Sequence, residues 1–235
     1  MRQRILGVLA VTVALAGCGA PAIPVDAGTA APTTPAPVIT EIPAAAFLQV
    51  ADLGAWGSIA DKATGLVPPS GLDPCGNRTP RASDKMIVVS EWILVLYGFT
   101  RTIEPYTNRE IPTGEAYEVI TSYRPGGAEA YLNELRDAVR ECPKALHTPR
   151  PGYEDHQEST SYAIVTEHFA GDDATMISRT WSGTFSDVLK SETSYFAAVR
   201  IGSVAIAMEV RGDRPHVDQL VTSALSRAAA LPVPA

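Results

Sequence analysis

Tyr195-Phe196-Ala197-Ala198-Val199-Arg200-Ile201-Gly202-Ser203-Val204-Ala205-Ile206-Ala207-Met208-Glu209-Val210-Arg211 reads as two strands around a two-residue turn. Both arms are rich in β-branched and aromatic residues, and Gly202-Ser203 supplies the turn chemistry. Pairing across it sets Tyr195, Ala197, Val199 and Ile201 beside Val204, Ile206, Met208 and Val210 on one apolar face. That face is expected to be core. Phe196, Arg200, Ala205, Ala207 and Glu209 take the other. A hairpin this apolar needs further layers, so the neighbouring segments decide the fold class.

Upstream, Ser161–Phe169 and Ala174–Trp181 flank Gly171-Asp172-Asp173, a second hairpin whose aspartates are explained by turn formation. With that turn, Val165 and Phe169 oppose Met176 and Thr180. Tyr162, Ile164, Thr166 and His168 then oppose Ile177, Arg179 and Trp181 on the other face. Downstream, Asp213–Leu231 has Pro215 in its first turn and a stripe of Val217, Leu220, Val221, Ala224, Leu225 and Ala228, the pattern of an amphipathic helix. A second helix spans Gly127–Cys142, introduced by Pro125-Gly126 and stopped by Pro143. Met86–Phe99 and Glu115–Tyr123 suit strands, and Ala44–Leu53 a short helix; His147–Ser159 reads as loop. The order α-β-β-α-β-β-β-β-α predicts an α+β domain, a mostly antiparallel β-sheet with helices packed on one face.

The N-terminus sets the compartment. Arg2 and Arg4 precede an uncharged run, Ile5–Ala16, too short to span a bilayer stably. Leu15-Ala16-Gly17-Cys18 at its end resembles a bacterial lipobox. That resemblance implies a lipoprotein signal peptide over 1–17, removed to leave lipid, palmitate included, on Cys18. Acyl chains contribute about 0.8 kcal/mol per buried methylene, so two or three make a durable anchor. Residues 18–43, Ala-, Pro- and Thr-rich, read as a tether, and 44–235 as one domain. The chain carries a net charge of −7, and losing Arg2 and Arg4 makes it −9. Nucleic acid is therefore not an expected partner. Cys75 and Cys142 remain, 67 residues apart. Outside the cytoplasm such a pair is expected to form a disulfide, worth about 4 kcal/mol by chain entropy. Cys142 also shares a helical face with Leu135 and Val139. Redox pairs and metal ligands usually sit closer together.

Taken together, Leu48…Asp52-Leu53…Trp56, Pro74-Cys75-Gly76, the strand from Met86, Arg140-Glu141-Cys142-Pro143 and the closing hairpins and helix resemble an actinobacterial lipoprotein with a PknH-like extracellular sensor domain. The resemblance covers roughly residues 44–232. It implies a domain that binds an undetermined ligand in a cleft braced by disulfides, either outside a receptor kinase or alone on a lipid anchor. This chain carries no kinase and one candidate bridge, so signalling implies a separate protein partner.

No nucleophile elbow, phosphate loop, zinc-protease motif or dinucleotide fingerprint is present in the sequence. No catalytic residue, cofactor or metal ligand is assigned, and the chain is not expected to be an enzyme. His147, His156, Glu154 and Asp155 share a polar loop, better explained by solvation than by metal. The candidate ligand site is the mixed face of Tyr162, His168, Arg179 and Trp181, aromatic walls with a cation and an imidazole suited to an anionic or sugar-like molecule. The function expected is a lipid-anchored, extracytoplasmic membrane lipoprotein that binds or senses an envelope ligand. A structural or interaction protein of the envelope and an unrecognised envelope hydrolase are the competing classes.

Overall fold

The computed structural model of the chain describes residues 38–64, 72–76, 81–101, 110–147, 158–185, 188–211 and 214–232. Residues 1–37, which hold the expected signal peptide, Cys18 and most of the expected tether, lie outside these.

The closing hairpin has the expected register: Tyr195 faces Val210, Ala197 faces Met208, Val199 faces Ile206 and Ile201 faces Val204. Gly202 at the turn has φ 58°, where a side chain would be strained. Around the hairpin lies one eight-stranded antiparallel sheet. Its strands are β1 (Ser58–Thr64), β2 (Ile87–Arg101), β3 (Glu110–Tyr123), β4 (Lys144–His147), β5 (Glu158–Glu167), β6 (Asp173–Phe185), β7 (Val188–Ile201) and β8 (Val204–Arg211). They stand in the order β1-β2-β3-β8-β7-β6-β5-β4. Two meanders thus meet at the β3–β8 pair, where Val119 lies opposite Ala207. Helix α1 (Gly127–Glu141) carries the chain from the middle of the sheet to its far edge, and α2 (Arg214–Ala228) follows β8. This is the α+β class expected.

The layers differ from expectation, because the helices cover both faces rather than one. Seven consecutive residues of β8, Val204–Val210, are buried. One face of the sheet meets α2, through Val217, Leu220, Val221 and Ala224, and the N-terminal residues Phe47 and Leu48. The other meets α1 through Ala128, Leu132, Leu135 and Val139, which pack with Ala198, Ala205 and Ala207. Those alanines look uncommitted in the sequence. Their small size is what admits a helix to close contact, so the second face is core as well.

Three further differences have local causes. The segment expected as a short helix forms two 3-10 turns, Ala44–Ala46 and Val50–Trp56, the latter opened by a reciprocal Gln49–Asp52 cap. The packed region also starts earlier than Ala44, since Ile39 and Ile42 are buried in the α2-side core. Strands β1 and β4 fall in stretches to which the sequence pattern assigns no strand, and only His147 of β4 belongs to the expected loop. They are edge strands that gain order from pairing with β2 and β5 and carry Asp61, Lys62 and Lys144, charges typical of edges. Cys75 and Cys142 are joined in a disulfide, Cα–Cα 5.2 Å, as the two thiols' placement predicts.

Candidate functional site

Helix α1 does not cover its whole face. It is fixed at one end of the sheet by Arg136, 5% exposed, whose guanidinium meets Asp173 at 2.6 and 2.8 Å and Glu167 at 2.8 Å. Asp173 thus does more than form a turn: Arg136 holds its carboxyl below the usual range. Asp172 keeps the turn role, its carboxylate accepting the Gly202 N–H at 2.6 Å.

On the same face, toward the opposite end of the strands, stands a band of aromatic and charged side chains. The two-residue strand period puts Arg179 and Trp181 on the face of Ile177, which packs in the α1 core. Tyr162 lies directly opposite Arg179, and Thr160 opposite Trp181. Tyr162 and Trp92 pack against the edge of that core. Trp92 also meets Tyr117 with ring centroids 6.3 Å apart. Across the next strands Tyr117 faces Glu209, and Glu209 faces Phe196.

Arg179 is held from two sides. Its Nε donates to Ser194 Oγ at 3.1 Å, and its guanidinium forms an ion pair with Glu209. Glu209 is 5% exposed and Arg179 25%. The Trp181 indole N–H points to Glu158 at 3.4 Å. Burial, partly countered by the Arg179 charge, pushes the Tyr162 hydroxyl up from its ordinary value. Burial also raises Tyr117, with Glu115 adding to it. Both phenols stay neutral hydrogen-bonding groups over the physiological range. The loop Leu72–Gly76 reaches this region: Leu72 packs in the α1-side core, the Asp73 charge is felt at Tyr162, and Cys75 is bonded to Cys142 just past α1.

Of the four residues the sequence nominates, Tyr162, Arg179 and Trp181 come together and His168 does not. A bulge between Ile164 and Thr166 shifts the register, so Thr166 pairs with Met176 and Glu167 with Thr175. His168 follows in the turn at φ 55°, 74% exposed, with Nδ1 at 2.8 Å from Asp173. Tyr117 and Glu209 are the residues of the band not nominated, and Glu209 is the one the sequence could have flagged. Its signal is a single carboxylate in an otherwise apolar strand, set on the face of Phe196 and Arg200. His147 lies at the sheet edge with Nε2 2.7 Å from Thr160 Oγ1; Glu154, Asp155 and His156 lie outside the described residues. Among the described residues no group of three His, Cys, Asp or Glu side chains is placed to hold a metal, and no helix is long and apolar enough to cross a membrane.

No protein-family model matches the chain, and no curated protein matches it. Among solved structures, the crystal structure of the extracellular domain of PknH from Mycobacterium tuberculosis aligns with 82% of this chain and 96% of its own, at a TM-score of 0.54 and 10% sequence identity. At that identity the likeness is one of fold.

Proposed function

We propose that the chain is an extracytoplasmic lipoprotein, acylated at Cys18, whose domain binds or senses an envelope ligand on the α1 face. The observation that carries the binding half is the band Tyr117, Glu209, Arg179, Tyr162 and Trp181, which lies on the α1 face of the sheet at the edge of the core that α1 packs. Partly buried aromatic rings around a fixed guanidinium–carboxylate pair are costly to build for stability, since a buried ion pair gains little over apolar packing. The Cys75–Cys142 bond supports an oxidising compartment. The shared fold with an extracellular domain agrees with that placement.

Two measurements test the two halves. Replacing Cys18 by Ser should move the mature protein from the membrane fraction to the aqueous one; a protein that stays membrane-bound and unlipidated ends the anchor reading. For binding, a thermal-shift screen of the Cys18→Ser protein against wall fragments, lipids and sugars should yield a ligand that raises the Tm, by about 2.7 kcal/mol of stabilisation at a hundredfold excess over Kd. Trp181→Ala should weaken that ligand. A hit indifferent to Trp181 and Arg179 would place the site elsewhere.

A further inference from the structure

We infer that the α1-face band takes a neutral, hydroxyl-rich ring compound, a short glycan, and that Glu209 is the residue that selects it over an anion. This rests on the reading above that the band is the ligand site. The sequence, which offers Arg179 as a cation, leaves anion and sugar equally open. The position of Glu209 decides between them.

Arg179 has its counter-ion in place. The Glu209 carboxylate is nine-tenths buried, both its oxygens lack accessible surface, and Oε1 is taken by the guanidinium. An anionic ligand must therefore share Arg179 with a carboxylate that water cannot screen, and like charges at short range inside a protein repel strongly. A hydroxyl meets no such conflict. It brings no charge to the pair and accepts from a guanidinium N–H of the partly exposed Arg179. Charge-assisted bonds of this kind are the stronger ones.

The walls fit the same chemistry. The C–H faces of a sugar ring are apolar and stack on aromatic planes, while its rim needs donors and acceptors. Tyr117 and Tyr162 flank the pair on strands β3 and β5, with Trp92 beside Tyr117 and Trp181 two residues along β6 from Arg179. In the strand order, Glu209 on β8 and Arg179 on β6 fall between the strands that carry the two phenols. Four strand spacings separate β3 from β5, about 19 Å at the usual sheet repeat, which matches a run of two or three sugar rings.

The test compares neutral and acidic trisaccharides on the Cys18→Ser chain. Titration calorimetry should detect mannotriose or maltotriose and not trigalacturonate at equal concentration. Glu209→Gln, which uncovers the Arg179 charge, should shift the preference toward trigalacturonate by about tenfold or more. Adding Arg179→Met to that variant should remove the gain. If Glu209→Gln does not fold, the wild-type comparison still decides. Tighter binding of trigalacturonate by wild type overturns the inference and leaves the ligand site standing. Failure to bind any of the three sugars at ~10 mM overturns it as well, while a non-sugar hit that responds to Trp181→Ala would keep the broader reading.

Discussion

Glu118 is a carboxylic acid with no exposed surface, on β3 between Ile93 and Met208. Its Oε2 accepts the Leu48 N–H at 2.8 Å, and Oε1 has no hydrogen-bond partner among the described residues. Burial raises its pKa to about 8, with the Asp52 charge adding to the effect and the Leu48 N–H opposing it. The native state therefore holds a proton that the unfolded chain releases near 4.5. Stability from this group is full below about pH 4.5 and is lost as pH rises to about 8, on the order of several kcal/mol over the window. Asp52 and Asp173 act in the opposite sense. Arg227 and Arg136 hold them below their ordinary 3.8, so their contribution is present above that value and fades in acid. The Tm of wild type should consequently peak on the acidic side, near pH 4–5, and fall toward pH 8. Glu118→Gln, which cannot ionise, should flatten the fall, so that the two proteins differ most at pH 8 and least at pH 4.5. Calorimetry across pH 3.5–9 checks this, and parallel curves for the two proteins would refute the assignment. Lone acids such as Glu118 and Glu209 are visible in the sequence as interruptions of apolar strands. Their partners are not, because Leu48 and Arg179 lie 70 and 30 residues away along the chain.

At the level of elements, period and turn chemistry carry the readable part. The hairpin of β7 and β8, both helices and the strands β2 and β3 follow from alternation, helical stripes and flanking Gly and Pro. What escapes is set by neighbours rather than by local pattern. β4 is four residues long and gains its order from the pairing of Lys144 with Ser161 and His147 with Glu158. The bulge beside Val165 has no local signature either; it shifts the register, and His168 stands six residues along from Tyr162, in the turn past the end of β5. Helix α1 is fixed at Arg136 by Asp173 and Glu167 and just past its end by the disulfide. The bond also ties the Leu72–Gly76 loop to the candidate site. Reduction should lower the Tm by roughly 5–10 °C, the size expected for a loss of 2–4 kcal/mol in a domain of this length. A Cys75→Ser, Cys142→Ser protein should start at the lower Tm and ignore reductant. Equal melting of wild type with and without reductant would show that the bridge adds nothing to stability.

For the molecule as a whole, composition predicts a tether up to Pro43 and a domain from Ala44, yet the three-layer core needs residues ahead of that boundary. Ile39 is 5% and Ile42 3% exposed, and they join Phe47, Leu48, Val95 and Val217 in the α2-side core. Proline and alanine on every side conceal them, since a composition window averages two isoleucines away. Burying an isoleucine contributes roughly 1.5–3 kcal/mol, an upper estimate because the unfolded chain is partly compact. The same segment leads to Leu48, whose N–H meets Glu118, and to Asp52, whose carboxylate takes two hydrogen bonds from Arg227 at 2.8 and 2.9 Å. Losing residues 38–43 therefore weakens contacts on both β3 and α2. It also shortens the expected tether by residues 38–43, about 20 Å of extended reach. A chain begun at Ala44 should accordingly melt on the order of 5–10 °C below one begun at Ala36. Ile39→Ser with Ile42→Ser in the longer chain should reproduce most of that loss. If the two starts melt alike, the N-terminal strap is ornament on a core that Phe47 and Leu48 already complete, and the boundary at Ala44 is restored.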